Sequence, residues 1–306
     1  MRWRGGRRST NIQDLRGSRG GLRLPGGLGG SGGRRRGRGV RIGGLGGLVI
    51  VLIGLFFGVD LSGLVGGGGI PTGLGGGAPV IERQAPPGGL RSNDEQAEFI
   101  SVMLGSTEEV WTGLFARAGQ RYRAPVLVLF ENRVRSACGA ASSASGPFYC
   151  PGDDKLYIDL GFFRELERMG AGGDFAQAYV LAHEVGHHVQ NLLGVSMDVQ
   201  RRQRQLPQAQ ANALSVRTEL QADCYAGVWA HHAHQADNGI TLEPGDLEEG
   251  MNAAATIGDD ALLERAGRRA RVENFTHGSS EQRQSWLYRG LETGDPQACD
   301  TFAAGT

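Results

Sequence analysis

The sequence predicts a mostly helical α+β domain with a small sheet, preceded by one transmembrane helix. Two observations predict the domain: apolar residues recur at helical spacing over most of the chain beyond residue 93, and short β-rich runs precede the longest of these segments. The third observation is an uncharged, apolar stretch that is long enough to cross a bilayer. We therefore expect four parts: a head of residues 1–41, a span of residues 42–59, a tether of residues 60–92 and a domain of residues 93–306.

The head of residues 1–41 contains 12 arginines and one acidic residue, Asp14, which gives it a net charge of +11. Residues 42–306 contain 20 basic and 31 acidic residues, a net charge of −11. This balance argues against a nucleic-acid-binding domain, because such domains concentrate positive charge where they contact phosphate. The head is rich in Gly, Arg and Ser, so we expect it to be disordered. The arginines of residues 34–38 also resemble a nucleic-acid-binding arm, but the segment that follows favours a membrane-proximal position.

Residues 42–59 are 18 consecutive uncharged residues with an apolar run at their centre. A helix of this length extends roughly 27 Å, close to the ~30 Å of a bilayer's hydrocarbon core. Arginines precede the stretch and Asp60 follows it, so the positive-inside rule predicts a signal anchor with a cytoplasmic N-terminus and a periplasmic or extracellular domain. A buried core helix is the alternative, and a cleaved signal peptide fits poorly because no small-residue cleavage pattern follows. The Gly- and Pro-rich residues 60–92 predict a flexible tether.

All four cysteines follow the predicted span, which agrees with export to an oxidising compartment. Three pairings are possible. We favour Cys138–Cys150, which bracket a short loop, and then Cys224–Cys299, over four reduced thiols. The absence of any CxxC pair in the chain argues against a Cys₄ zinc site.

The elements of the domain follow from its periodicity. A capping signal at residues 92–94 precedes a predicted helix over residues 95–118. The runs at residues 126–130 and 155–159 predict two strands, and the second alternates like an edge strand. Further helices are predicted over residues 161–169, 174–193, 208–232, from about 244 to 258, and after about 279.

The predicted helix over residues 174–193 contains the motif HExxH, with His183, Glu184 and His187. Because a helical turn takes 3.6 residues, the two histidines lie on one face and can bind the same metal ion. Glu184 flanks that position, where it can act as general base toward a water activated by Zn²⁺. His188 is rotated off this face, so we expect it to pack or form hydrogen bonds. The alternative is a pair of hydrogen-bonding histidines on a polar helix face.

A catalytic zinc ion needs three protein ligands and one open position. The helix over residues 208–232 carries Glu219 and Asp223, which lie one turn apart on one face. Glu219 is 32 residues after His187. We expect Glu219 to be the third zinc ligand and Asp223 to accept the N–H of a zinc-bound histidine. The alternative is that both are solvated charges near Arg217.

The sequence around these residues resembles the bacterial neutral zinc metallopeptidase family. The HExxH…ExxxD pattern is also similar to the gluzincin pattern of thermolysin-like peptidases. The family resemblance runs over residues 90–304 and includes the basic head and its span; the stretches that carry it are residues 146–151, 173–179, 183–190, 219–224 and 275–283. It implies a membrane-anchored, zincin-like peptidase domain, and it does not imply a particular substrate.

Residues 276–283 resemble the late histidine and arginine motif of the CAAX prenyl endopeptidases. This resemblance implies that His277 stabilises the oxyanion of the reaction and that Arg283 lies nearby to orient it. The alternative is a helix-capping turn in which His277 is a surface residue.

Together these observations predict a membrane-anchored zinc endopeptidase with Glu184 as general base, and the resemblance implies His277 as oxyanion donor. The expected partners are a protein or peptide substrate and the lipid bilayer, through residues 42–59, without nucleic acid. Two alternatives stay open: a non-catalytic, zinc-stabilised binding or chaperone module, and a metal-dependent hydrolase of another kind of bond. The general base at position 184 counts against the first, because a purely structural site has no need of one.

Overall fold

The computed structural model describes residues 1–17, 90–91, 94–235 and 239–303. The predicted span at residues 42–59 lies outside the described residues, as do residues 18–41 of the head and nearly all of the tether. Within the part of the chain that is described, no helix is both long and apolar enough to cross a membrane. The fold is mixed α+β, mostly helical with a small sheet, as the sequence predicted.

Helices and strands are labelled in chain order. The helices are α1 (Glu95–Arg117), α2 (Gly161–Arg168), α3 (Asp174–Leu192), α4 (Val195–Gln203), α5 (Gln208–Gln235), α6 (Asp246–Thr256), α7 (Asp259–Arg265) and α8 (Ser280–Thr293). The strands are β1 (Ile12–Asp14), β2 (Val126–Phe130), β3 (Arg133–Ser136), β4 (Gly139–Ser142), β5 (Phe148–Cys150) and β6 (Lys155–Asp159).

The main sheet has the strand order β1-β2-β6-β5, with β5 antiparallel and the other neighbours parallel. The prediction that residues 155–159 form an edge strand is therefore wrong, since β6 lies between β2 and β5. Both faces of β6 are covered: Leu156 and Ile158 join the core under the helices, while Tyr157 stacks on Phe148 in a smaller cluster on the other face. The tyrosine gives the strand an amphipathic pattern although its ring is buried.

The head is not disordered over residues 1–17, in contrast to the prediction. These residues form β1, which pairs with β2 in parallel, and they bury Trp3 and Ile12 in the main core. The Trp3 ring meets Phe99 of α1 edge-on, with ring centroids 5.2 Å apart. Composition alone predicted disorder because the head has few apolar residues. Trp3 and Ile12 nevertheless pack against core residues that are far away in the sequence.

Helices α3 and α5 approach each other closely at Gly186. A Cβ atom at this position would lie 2.9 Å from the carbonyl oxygen of Ala222 and 3.0 Å from its Cα atom, so only glycine fits without a shift of the backbone. This contact brings the HExxH motif of α3 against the ExxxD motif of α5. The helix packing therefore unites the two motifs in one site.

Both favoured disulfide bonds are present. Cys138–Cys150 joins the turn between β3 and β4 to β5, and Cys224–Cys299 joins α5 to the C-terminal segment. Since Cys224 follows Asp223 directly, the second bond also secures α5 beside the metal-binding motifs.

Candidate metal centre

The three predicted metal ligands converge between α3 and α5. The Nε2 atom of His183 lies 3.1 Å from Nε2 of His187 and 3.1 Å from Oε2 of Glu219, and Nε2 of His187 lies 3.5 Å from Oε1 of Glu219. Tetrahedral zinc with bonds of about 2.0–2.2 Å separates its ligand atoms by about 3.3–3.6 Å. The two histidine nitrogens and the Glu219 carboxylate are thus 3.1–3.5 Å apart, close to the spacing of ligand atoms on one face of a zinc coordination tetrahedron, and all three side chains are buried.

The second ring nitrogen of each histidine is held by a polar partner. His183 Nδ1 donates to Asp223 Oδ1 at 2.7 Å, and His187 Nδ1 donates to Gln190 Oε1 at 2.9 Å. These hydrogen bonds place the protons on Nδ1 and turn the Nε2 lone pairs toward the metal position. The role of Asp223 was expected. Gln190 was missed, although its spacing of three residues from His187 on the same helix was a usable signal.

Asp223 is in turn held by two side chains. Arg283 forms a bidentate pair with it, Nε to Oδ2 and Nη2 to Oδ1, each at 2.9 Å, and the Tyr179 hydroxyl donates to Oδ1 at 2.6 Å. Arg283 thus forms its ion pair with Asp223, while its charge still lowers the pKa of His277. Through Asp223, Arg283 supports the orientation of His183. Tyr179, which lies on α3, belongs to this network as well.

The charges of the site favour a bound cation. Burial opposes ionisation of Asp223, but Arg283 and His183 outweigh it and lower the pKa of this carboxyl to about 2. Burial also opposes ionisation of Glu219, but the imidazoles of His187 and His183 hold its pKa well below the usual value. Burial lowers the pKa of His183, whereas Asp223 and Glu219 raise it, for a net value of about 10. Two ionised carboxylates with nitrogen donors beside them suit Zn²⁺, which prefers nitrogen and oxygen ligands of this kind.

Glu184 lies beside this cluster on α3 and faces β5. Its side chain is buried, and burial raises its pKa although the two histidines of the motif lower it. The backbone N–H of Tyr149 in β5 also lowers this pKa. One turn further along α3, His188 Nδ1 lies 3.1 Å from the Tyr149 hydroxyl and its Nε2 donates to the Arg123 carbonyl. His188 therefore contacts β5 and the segment before β2, and does not face the metal position.

His277 lies in the loop before α8 and is held by Asp259, the first residue of α7. Asp259 Oδ2 accepts the backbone N–H groups of Thr276 and His277 at 2.7 Å and of Gly278 at 3.1 Å, while Oδ1 lies 3.3 Å from His277 Nδ1. Burial lowers the pKa of His277, but the carboxylates of Asp259 and Glu219 outweigh it and raise the pKa.

His277 lies near the metal cluster, because a Cβ atom built on the next residue, Gly278, would be 3.1 Å from Cδ2 of Leu220, which follows Glu219 on α5. The turn before α8 does cap the helix, because the Ser279 side chain accepts the Gln282 N–H. His277 is not a surface residue, however, since only 15% of its side chain is accessible. Asp259 was missed because it lies 18 residues from its partner and belongs to no recognisable motif.

A family model described as "Putative neutral zinc metallopeptidase" matches residues 1–302. The uncharacterized protein YpfJ of Escherichia coli (strain K12) is 47% identical over 310 residues, which cover 99% of each chain. The uncharacterized protein Rv2575 of Mycobacterium tuberculosis (strain H37Rv) is 47% identical over 208 residues, or 65% of this chain and 68% of that protein. No solved structure matches the fold. Since the family model covers nearly the whole chain, with both metal-binding motifs inside it, the protein belongs to this neutral zinc metallopeptidase family.

Proposed function

We propose that the protein is a zinc-dependent endopeptidase in which Glu184 is the general base. The observation that carries the proposal is that His183, His187 and Glu219 converge, with the buried carboxylate of a fourth residue, Glu184, beside them. Membership of the family supports zinc as the metal and peptide hydrolysis as the reaction class.

The residues divide the work as follows. Zinc held by His183, His187 and Glu219 would polarise the scissile carbonyl group and lower the pKa of a water molecule. Glu184 takes a proton from the attacking water and delivers it to the leaving amine, a role that suits a carboxyl group whose pKa is raised by burial. His277, held by Asp259, donates a hydrogen bond to the oxygen on which negative charge develops. Asp223 and Gln190 keep the two histidines oriented.

The position of β5 supports a peptide as the substrate. This strand is at one edge of the described sheet, and the backbone N–H of Tyr149 lies close enough to Glu184 to lower the pKa of its carboxyl group. An extended peptide can add to such an edge through main-chain hydrogen bonds, which would place a peptide bond near the general base. This arrangement favours peptide hydrolysis over hydrolysis of another kind of bond.

The alternative of a closed, non-catalytic zinc site needs a fourth protein ligand. All four cysteines are in disulfide bonds. Among the described residues, the ligand cluster contains only His183, His187 and Glu219, and the neighbouring His188 contacts Tyr149. These observations support an open coordination position and thus a catalytic site.

We also propose that the domain works in the periplasm or outside the cell, attached to the bilayer through residues 42–59. The two disulfide bonds support an oxidising compartment. The bilayer contact is supported by the composition of residues 42–59 alone.

The test is metal content and proteolysis of the purified full-length chain. We expect one zinc per chain and chelator-sensitive cleavage of an unstructured protein such as casein. Glu219→Ala should lose both, whereas Glu184→Gln should keep the zinc and lose cleavage by about 10²–10⁴-fold. Glu281→Gln, an exposed residue of α8, is the matched control and should change neither. A folded protein without zinc would contradict the site, and zinc without cleavage of any peptide would favour the binding module.

A further inference from the structure

Residues 1–17 are part of the metallopeptidase domain. Strand β1 pairs in parallel with β2 along its whole length, with Ile12 opposite Leu127 and Asp14 opposite Leu129. At the other end of the segment, Arg2 forms a backbone bridge with Thr241. The segment thus lies along the domain from the loop after α5 to the edge of the sheet.

Helix α1 is adapted to this segment at Glu108. The carboxylate is buried, and it accepts hydrogen bonds from Arg7 Nη2 at 2.7 Å, Ser9 Oγ at 2.6 Å and Asn11 Nδ2 at 2.7 Å. All three donors belong to the head. A buried carboxylate that lost these partners would carry a large desolvation cost, so Glu108 is stable here only with the head bound.

The backbone of the head also requires a glycine on α1. A Cβ atom at Gly105 would lie 2.2 Å from the carbonyl oxygen of Arg7, and the Ser9 N–H donates to the Ser101 carbonyl at 2.9 Å. The crossing is therefore a close backbone contact, which a loosely associated tail would not need.

The described residues on either side of residues 18–89 lie at one place on the domain. Arg16 is almost fully buried, and its Nη1 lies 2.5 Å from Asp94 Oδ2, while its Nη2 lies 2.6 Å from Asp14 Oδ2. Arg91 lies within 3.9 Å of the same Asp14 carboxylate. Ion pairs at the start of α1 thus hold together the residues that precede and follow this segment.

We propose that residues 1–17 and residues 94–303 lie on the same side of the membrane in the cell and remain bound to each other. A single crossing between residue 17 and residue 94 would separate β1 from β2 and Glu108 from its three donors. The single crossing by residues 42–59 that the sequence predicts, with a cytoplasmic N-terminus and an exported domain, is therefore replaced by an arrangement in which both share a compartment. The bilayer contact proposed above for residues 42–59 must then leave residues 1–17 and 94–303 on one side. This inference does not depend on the peptidase activity.

The experiment uses two single-cysteine variants of the full-length chain, Arg4→Cys and Glu95→Cys. These residues are largely exposed, with 76% and 68% of their side chains accessible, and they form an ion pair between the head and α1. Each variant is treated with a membrane-impermeant maleimide in intact cells, in permeabilised cells and after denaturation. The parent chain, whose four cysteines are disulfide-bonded, measures the background.

We expect the two variants to label alike, either both in intact cells or both only after permeabilisation. Labelling of one variant in intact cells with complete protection of the other would overturn the proposal. The double variant then tests binding: a short bismaleimide should join the two cysteines, so that the head stays attached after cleavage at a protease site inserted in the tether. Release of the head from the double variant, at the level of the single variants, would also overturn the proposal.

Discussion

At the level of single residues, the orientation of His183 depends on buried partners that hold one another. Asp223 accepts its Nδ1–H, and Arg283 and Tyr179 hold Asp223. Each oxygen of this carboxylate has a partner, so its position leaves the imidazole little freedom to rotate. The metal site is thus preorganised by groups that do not contact the metal position themselves.

Asp223→Asn is expected to weaken zinc binding by about 10- to 100-fold, because the variant no longer provides a charged acceptor for the His183 N–H. Competition with a chromophoric chelator measures the affinity. Tyr179→Phe removes only one hydrogen bond to Asp223, so it should have a smaller effect of the same sign. Unchanged zinc affinity in Asp223→Asn would contradict the positioning role.

His277→Ala is expected to keep the zinc and to lower kcat by about 10²–10³-fold, the size of effect seen when one oxyanion donor is removed. His234→Ala is the matched control, because His234 is exposed on α5. Zinc content and steady-state kinetics are measured on the same samples. If His277→Ala cleaved peptides as fast as the parent chain, His277 would not be the oxyanion donor.

At the level of elements, the site depends on how closely α3 approaches α5. Gly186→Ala would place a Cβ atom against the backbone of Ala222, so the helices must separate. We expect a loss of about 1–3 kcal/mol in the free energy of unfolding, together with weaker zinc binding. Urea unfolding and chelator competition measure the two effects.

Gly113→Ala is the matched control for that experiment. Gly113 lies on the exposed side of α1, and an added Cβ atom would have no neighbour within 4 Å. The same substitution should therefore stabilise the protein by about 0.5–1 kcal/mol through helix propensity. Equal effects of the two substitutions would show that helix separation is not the cause.

Asp259 links the start of α7 to the loop before α8, and this link should depend on pH. Burial raises the pKa of Asp259, but hydrogen bonds and charge from His277 outweigh it and lower the pKa. Its contribution to stability is therefore complete above roughly pH 4 and is lost as the pH falls through the folded-state pKa. Asp259→Asn should destabilise the protein at neutral pH and differ less from the parent chain in acid.

Urea unfolding at several pH values between 3 and 7 measures this difference. Glu264→Gln, an exposed position on α7, should follow the parent chain throughout. A constant difference between Asp259→Asn and the parent chain across this range would mean that the charge of Asp259 does not contribute.

At the level of the whole molecule, the two disulfide bonds close loops of very different length. Cys224–Cys299 has a sequence separation of 75 residues and Cys138–Cys150 a separation of 12. Loop entropy predicts stabilisation of roughly 4–5 kcal/mol for the first and roughly 3 kcal/mol for the second. Paired Cys→Ser variants should lose stability in that order, as measured by urea unfolding. Loss in the opposite order would show that local contacts outweigh chain entropy.

The head shows what limits a prediction from composition. Arg7, Ser9 and Asn11 belong to a glycine- and arginine-rich segment whose composition predicts disorder. All three nevertheless donate hydrogen bonds to the buried carboxylate of Glu108 on α1. The same limit applies to Asp259, whose backbone partners lie 17 to 19 residues later in the sequence. It also applies to β6, because its position between β2 and β5 depends on how the whole sheet assembles. In each case the partner is distant in the sequence, so no local pattern identifies it.

The sequence by itself determined the features that repeat over one or two helical turns. The spacing of His183, Glu184 and His187, and of Glu219 and Asp223, sets which side chains share a face of α3 or α5, because helical geometry is local. Only the tertiary structure decided how these faces meet at Gly186, which partners hold Asp223, and that residues 1–17 belong to the domain. The physical reason is that these contacts join residues that are dozens to hundreds of positions apart. Such contacts form only in the folded chain, so no local sequence pattern reveals them.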